Sequence, residues 1–124
     1  MSLRLEEEFA GALNVLYVVV RGERCEFRRF VQSLEPRDRK RVVYLLTRAA
    51  ERGTEDLNVQ QFRKLSGDIW EFKPTQQVRI TCAWIRRGAI VLLTAFVKKH
   101  GSDTQPQIEK AQKLLDAIRS EPMQ

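Results

Sequence analysis

The amino-acid sequence predicts one α+β domain over residues 1–124, in which an antiparallel-rich sheet of about four strands packs with two N-terminal helices and a C-terminal helix. Three observations support this class. A length of 124 residues fits a single domain. Apolar residues recur at helical spacing in three segments, and runs of strand length rich in Val and Ile occupy much of the remainder. The predicted order is β-α-α-β-β-β-α.

The N-terminal third contains the first strand and the first helix. We expect residues 1–10 to be a frayed end or a short helical lead-in. Residues 13–20 are rich in Val, Leu and Tyr, which is typical of a strand, and Gly22 ends it. Residues 25–34 place Phe27 and Phe30 on one helical stripe with Val31 and Leu34, which predicts a helix.

A second helix follows directly. Pro36 is suited to a first helical turn, and Asp38 is favourable near the positive end of the helix dipole. Gly53 is a typical C-terminal cap. The apolar face consists of Val42, Leu45, Leu46 and Ala49. We expect residues 54–65 to form a connecting loop, with at most a short turn of helix.

Three strands and a closing helix complete the prediction. Residues 69–73 form a strand that Pro74 stops, residues 78–85 alternate in polarity, and residues 89–97 are apolar almost throughout, as in a strand buried on both faces. We expect a turn at 86–88, a loop at 101–106, an amphipathic helix from Ile108 to Ile118, and flexible residues at 121–124.

Apolar alternation also predicts a register for the central hairpin. Placing Phe72 opposite Val78 puts the apolar sets of both strands on one face. Glu71 then lies opposite Arg79, with Lys73 beside them on the polar face. A slip of one residue would bury Arg79 without a partner, which is unfavourable.

The chain is strongly basic. It carries 22 Lys and Arg against 16 Asp and Glu, a formal charge of +6, and its pI is about 9.7. Such a balance favours a polyanionic partner, either a nucleic acid, a ribosome or an acidic protein. The alternative is a solvated surface that is basic without binding anything, and the basic helix face around residues 37–41 is open to both interpretations.

Several classes of protein are disfavoured. Cys25 and Cys82 lie in apolar patterns, so we expect two buried, reduced thiols and no disulfide. No Asp, Glu or His cluster has ligand spacing, so we expect no metal and no cofactor. Residues 6–8 are acidic where a signal peptide would be basic, and the apolar run at 89–97 is too short to span a membrane. We therefore expect a soluble, cytoplasmic protein without a membrane partner.

Three motifs carry a family resemblance. The segment Leu65-Ser-Gly-Asp-Ile-Trp-Glu-Phe-Lys73 resembles the "L-x-G-x-[LIY]-[WY]-E-[LF]-R" element of the RelE/ParE toxin superfamily. Val78-Arg79-Ile80 is similar to its "[YV]-R-[IVL]" strand, and residues 90–99 to its "[IV]-x-L-L-x-x-F-x-K-K" strand. The resemblance covers roughly residues 12–120 and is greatest to the phage-derived, HigB-like branch.

This resemblance implies the toxin of a type II toxin–antitoxin pair, held inactive by a HigA-like antitoxin with a helix-turn-helix domain. Toxins of this branch typically enter the ribosome and cut mRNA, using the 2′-hydroxyl of the RNA as nucleophile and no metal. That chemistry needs a base for the hydroxyl proton, cations for the phosphate, and an acid for the leaving 5′-oxygen.

The resemblance also implies roles for the cationic residues. Arg79 and Lys73 would bind the scissile phosphate and stabilise its transition-state charge, while Lys98 or Lys99 would position it. Lys64 is a further candidate for RNA binding. Lys73 stands where the family more often has Arg, so the bidentate fork of a guanidinium is missing there. Each could instead be a solvated or salt-bridged strand residue.

His100 or Glu71 would transfer protons. His100 directly follows the two lysines, and histidine side chains exchange protons near neutral pH. The alternative is that His100 is an ordinary exposed loop residue and that Glu71 only orients Arg79. The aromatic residues Trp70, Trp84, Phe72 and Phe96 follow the apolar faces and are expected in the core rather than stacked on bases.

Two other functions remain open from the sequence. The chain could be a non-catalytic inhibitor of a protein such as DNA gyrase, as in the ParE branch. It could also be a basic nucleic-acid-binding module without toxicity. The process that stops first on expression, translation or DNA replication, distinguishes the first alternative, and harmless expression indicates the second.

Overall fold

A computed structural model describes residues 2–121. The elements along this part of the chain are β1 (Leu3–Ala10), β2 (Val15–Arg21), α1 (Glu26–Ser33), α2 (Pro36–Arg52), β3 (Phe62–Ser66), β4 (Ile69–Phe72), β5 (Val78–Arg86), β6 (Ala89–Val97) and α3 (Thr104–Ser120). Single turns of 3₁₀ helix lie at Thr54–Asp56 and Gly101–Asp103.

The six strands found within residues 2–121 form one mixed sheet in the order β1-β2-β6-β5-β4-β3. Only β2 and β6 pair in parallel, and the other neighbours are antiparallel. The helices cover both faces. Apolar residues of α1 and α2 pack on one face, here called the α2 face. Ala111, Leu115 and Ile118 of α3 pack on the other, here called the α3 face.

The predicted α+β class and the three helices are confirmed, but the prediction of about four strands is wrong. The two additional strands, β1 and β3, are the edges of the sheet. Residues 3–10 are therefore neither frayed nor helical, and residues 62–66 are not loop. Edge strands commonly carry charged residues that prevent association with other chains, so they lack a clear apolar alternation. The expectations for Met1 and for residues 122–124 lie outside the described residues.

The helix limits agree closely with the sequence. α1 and α2 begin and end within a residue or two of the predicted positions, and Gly53 caps α2 with a φ of 88°, in the region that favours glycine. One boundary differs. α3 begins at Thr104, which places Pro106 in its first turn rather than in a loop. Proline is tolerated there because the first N–H groups of a helix have no intrahelical partner.

The predicted hairpin register is wrong by two residues. Phe72 lies opposite Ile80, and Glu71 lies opposite Thr81 rather than Arg79. β4 ends at Phe72, and the first residues of β5 pair with β6 alone, Arg79 lying opposite Phe96. Because a shift of two preserves the face of every side chain, Glu71 and Arg79 still share a face, as diagonal neighbours.

Both cysteines are buried, free thiols, as expected. Burial raises the pKa of the Cys82 thiol, so this thiol stays protonated in the folded protein. No helix in the described part of the chain is long and apolar enough to cross a membrane.

Candidate functional site

Three charged side chains from adjacent strands meet on the α3 face. They are Arg63 of β3, Glu71 of β4 and Arg79 of β5, here called the interior cluster. Arg63 lies directly opposite Glu71 in the strand pairing. Arg63 Nε donates a hydrogen bond of 3.1 Å to Glu71 Oε1, and Arg79 Nε lies 3.7 Å from the same oxygen. One carboxylate oxygen therefore faces two guanidinium groups.

The interior cluster is unusually buried for charged groups. The Glu71 side chain is 0% exposed and the Arg79 side chain 8%, whereas Arg63 is 41% exposed. Within residues 2–121, neither Glu71 Oε2 nor Arg79 Nε has a hydrogen-bond partner. Native proteins rarely leave buried charged atoms unpaired, because such atoms lose hydration without compensation. The ion pairs within the interior cluster are therefore what offsets the burial of these charges.

The β4–β5 loop holds the Arg79 guanidinium in place. Arg79 Nη1 donates hydrogen bonds of 3.0 Å to Thr75 O and 3.1 Å to Val78 O. Thr75 Oγ1 in turn accepts the backbone N–H groups of Gln77 and Val78. Burial lowers the pKa of Arg79 from its ordinary value, and Arg63 adds to that effect while Glu71 opposes it. The cation is thus fixed and poorly hydrated, so it would interact strongly with an anion.

Lys73 and Lys98 extend the positive charge around the interior cluster. Lys73 is half-buried, and burial is the main cause of its lowered pKa. The charges of Arg63, Arg79 and Lys98 lower it further, against the opposing effect of Glu71. Lys98 is fastened next to the same loop, since its backbone N–H donates 2.7 Å to Gln77 O. Cations therefore outnumber carboxylates among the described residues at this end of the sheet.

The remaining predicted residues lie apart from this group. Lys64 pairs with Trp70 on the α2 face and is exposed, so it points away from the interior cluster. Lys99 and His100 follow the end of β6 and are exposed. Their backbone N–H groups both donate 2.8 Å hydrogen bonds to Asp103 Oδ2, which lowers the pKa of Asp103. Lys99 and His100 lie at the rim of the site, in the segment that connects β6 to α3.

Sequence reasoning missed Arg63, because residues 54–65 read as a loop. One signal could have located it. Gly67-Asp68 is a two-residue turn of a type that joins antiparallel strands, and Gly67 adopts a φ of 55°. A hairpin across this turn carries Arg63 to the position opposite Glu71.

The group has the chemistry of an anion-binding site. Guanidinium and ammonium groups bind phosphate through charge-assisted hydrogen bonds, and fixed cations stabilise negative charge that develops in a transition state. Within residues 2–121, no three His, Cys, Asp or Glu side chains converge as metal ligands would.

Comparison with known proteins identifies the family. A search of curated proteins finds no match. The family model described as "Phage derived protein Gp49-like (DUF891)" matches residues 29–116, which is more than two thirds of the chain and contains every strand of the interior cluster. The chain therefore belongs to the phage-derived Gp49-like family, a toxin-like family related to the RelE- and HigB-type toxins.

Proposed function

We propose that this chain is the toxin of a type II toxin–antitoxin pair, of the HigB-like branch, and that it cuts ribosome-bound mRNA. Membership of a toxin-like family supports the first part. The observation that carries the second is the Arg79 guanidinium, which Thr75 O and Val78 O hold in place on the sheet. Its fixed positive charge, to which Lys73 and Lys98 add, would attract the phosphate.

In the proposed reaction, Arg79, Lys73 and Lys98 hold the scissile phosphodiester. The 2′-oxygen of the preceding nucleotide attacks phosphorus, the bond from phosphorus to the 5′-oxygen breaks, and a 2′,3′-cyclic phosphate and a 5′-hydroxyl result. Negative charge grows on the phosphoryl oxygens during attack, and preorganised cations stabilise it without reorganisation. Holding the 2′-hydroxyl in line with the leaving oxygen supplies much of the remaining acceleration. The route uses no metal.

In this proposal the imidazole of His100 accepts the proton of the 2′-hydroxyl, and a water molecule protonates the leaving 5′-oxygen. The His100 side chain is exposed at the rim, where a bound RNA strand can approach it. Glu71, in contrast, has no exposed surface and already faces Arg63 and Arg79. Its role in the proposal is to position the two guanidinium groups. Lys99 neighbours His100 and is assigned to phosphate positioning.

The proposed partners follow from the same site. A helix-turn-helix antitoxin of the HigA type would cover the cationic end of the sheet and so exclude RNA. The net charge of +6 suits association with ribosomal RNA and mRNA. The proposed toxin acts as a single domain in the cytoplasm, where its ribosomal substrate lies.

The test is inducible expression of wild type beside Arg79→Ala and Arg79→Lys, with growth curves and primer extension on a reporter mRNA. Wild type should arrest growth and cut translated regions. Arg79→Ala should reduce cutting by about 100-fold or more, the effect of removing one transition-state donor. Arg79→Lys should be intermediate, because an ammonium keeps the charge and loses the fork.

Arg29→Ala is the matched control, since Arg29 is exposed on α1 and outside the interior cluster. It should cut like wild type. Circular dichroism must show that the Arg79 variants are folded. Full cutting by folded Arg79→Ala would refute the assignment of Arg79. Growth arrest with intact mRNA would refute the nuclease and indicate a protein target such as DNA gyrase.

A further inference from the structure

A second cationic pocket lies on the other side of the β4–β5 loop. It has a volume of about 300 Å³ and is lined by Arg37, Asp38 and Arg41 of α2 and by Thr75, Gln76 and Gln77 of the loop. This volume is at the lower end of the range for small-molecule sites, roughly 300–1,000 Å³. The pocket is therefore large enough for one small polar ligand.

The same loop separates this pocket from the interior cluster and is held by hydrogen bonds from β5 and from the residue that follows β6. The Arg79 side chain donates to Thr75 O, and the Lys98 backbone N–H donates to Gln77 O. Thr75 Oγ1 closes the loop internally by accepting two backbone N–H groups. These hydrogen bonds fix the position of the loop relative to the interior cluster.

We infer that this pocket binds a nucleotide of single-stranded RNA that flanks the scissile phosphodiester. Arg37 and Arg41 are four residues apart, so they share one face of α2 and can contact the same phosphate. The first turns of a helix also favour an anion. Asp38 would repel the phosphate, which places the phosphate on the Arg37–Arg41 side of the pocket. The inference rests on the proposed function.

Gln76 and Gln77 supply the means to distinguish bases. Both are exposed at the tip of the loop, and their amides offer donors and acceptors to the edges of an unstacked base. The Asp38 carboxylate can accept a hydrogen bond from an exocyclic amino group. The arginines thus supply affinity, and the loop amides together with Asp38 supply the preference for particular nucleotides.

The test is fluorescence anisotropy with a labelled 2′-O-methyl RNA oligonucleotide, whose blocked hydroxyl prevents cleavage, titrated at several KCl concentrations. The double variant Arg37→Gln/Arg41→Gln should lower the salt slope by about 0.7 to 1.4, which is the contribution of one or two phosphates on a single strand. If that contribution vanishes near 1 M salt, affinity at 0.1 M falls by about five- to 25-fold.

The matched control is Arg29→Gln/Lys113→Gln. It removes the same net charge from exposed positions on α1 and α3 that do not line this pocket. Affinity should fall by about twofold or less. Equal losses in the two double variants would overturn the inference, because they would show a response to net charge alone. Undetectable binding of RNA by the wild type would overturn it as well.

A second variant tests base recognition. Gln76→Ala/Gln77→Ala should keep the salt slope and lose the wild type's preference among oligo(A), oligo(C) and oligo(U). A wild type without preference, or a variant that keeps it, overturns this part of the inference. The outcomes also separate the two proposals. Wild-type cleavage of mRNA with no effect of the pocket variants on binding or cut sites refutes only the pocket. Pocket-dependent RNA binding without cleavage refutes only the nuclease.

Discussion

Two Arg–Glu clusters in this fold use the same residue types and reach opposite electrostatic outcomes. In the first, here called the edge cluster, Arg28 of α1 bonds to Glu6 and Glu8 of β1 at 3.0 and 2.8 Å, with its side chain 38% exposed. In the interior cluster, Glu71 faces Arg63 and Arg79 and has no exposed surface. Arg4 also bonds to Glu6, at 2.8 Å, so the charges of the edge cluster balance, whereas the interior cluster has excess cation.

The pKa values of the two arginines move in opposite directions. The hydrogen bond to Glu8 raises the pKa of Arg28, and Glu6 adds to the effect. Burial lowers the pKa of Arg79 despite the charge of Glu71. Ion pairing dominates where water reaches the pair, and desolvation dominates where it does not. The comparison indicates that the edge cluster serves the fold, and it supports the anion-binding role that we propose for the interior cluster.

The strongest test of this difference is to remove Glu71 from the interior cluster and Glu8 from the edge cluster. Glu71→Leu should lower the free energy of unfolding by about 3–5 kcal/mol, because it leaves Arg79 buried without a counter-ion. Glu8→Leu should lower it by about 1 kcal/mol or less. Urea unfolding followed by the fluorescence of Trp70 and Trp84 measures both.

A double variant separates the lost pair from the lost charge. Glu71→Leu/Arg79→Met should recover much of the stability, because replacing both partners of a buried pair by apolar groups is often neutral or favourable. Equal losses for Glu71→Leu and Glu8→Leu would mean that the burial of the interior cluster has no energetic consequence.

A substitution of Arg63 tests whether the edge strand β3 contributes to RNA cleavage. Arg63→Gln should lower RNA cleavage by about tenfold, the loss of one partly exposed cation near the phosphate, with an unfolding free energy changed by about 1 kcal/mol or less. Lys64→Gln is the matched control, since Lys64 lies on the same strand and the opposite face. Primer extension measures both. A larger loss of cleavage for Lys64→Gln than for Arg63→Gln would contradict this expectation and support Lys64 as an RNA-binding residue.

Lys73 should oppose stability while supporting activity. Its pKa is lowered, chiefly by burial, so the folded state disfavours its charge. Lys73→Met should therefore raise the free energy of unfolding by up to about 1 kcal/mol and reduce cleavage. The stability difference should be greatest near pH 7, where lysine is charged in both states. It should shrink as pH rises through the lowered folded pKa and vanish above lysine's ordinary value of about 10.4.

Urea unfolding from pH 7 to 10 checks this sign. Lys113→Met is a suitable control, because Lys113 is exposed on α3. A difference between Lys73→Met and wild type that grows with pH would contradict the prediction.

The smallest effect is expected in the edge cluster. Arg28→Ala should lower the free energy of unfolding by about 0.5–1 kcal/mol, and 1 M salt should reduce the loss by screening. Hydrogen bonds from Arg28 and Arg4 lower the pKa of Glu6. The stabilisation from that pairing is therefore present above the ordinary carboxylate pKa and is lost as pH falls through the lowered one. Thermal unfolding at two salt concentrations measures this effect. A loss of unfolding free energy for Arg28→Ala as large as that for Glu71→Leu would contradict the prediction.

Strand prediction succeeded in the middle of the sheet and failed at its edges. β5 and β6 are covered on both faces, so their apolar pattern is strong enough to predict from sequence. β1 carries Glu6, Glu7 and Glu8, and β3 carries Arg63 and Lys64. These charged segments are strands only because each pairs with an inner strand of the sheet. The spacing of apolar residues along the sequence does not show such pairing.

By itself, the sequence determined that Glu71 and Arg79 share a face, because apolar alternation excludes a register shift of one residue and a shift of two keeps every side chain on its face. It also determined the three helices, through apolar stripes that only a helix gathers on one side. Only the tertiary structure decided that Glu71 lies opposite Thr81 and bonds to Arg63. It also decided that Glu71 Oε2 and Arg79 Nε are buried without hydrogen-bond partners among residues 2–121. These features depend on loop hydrogen bonds and on burial by distant segments, which local pattern does not encode.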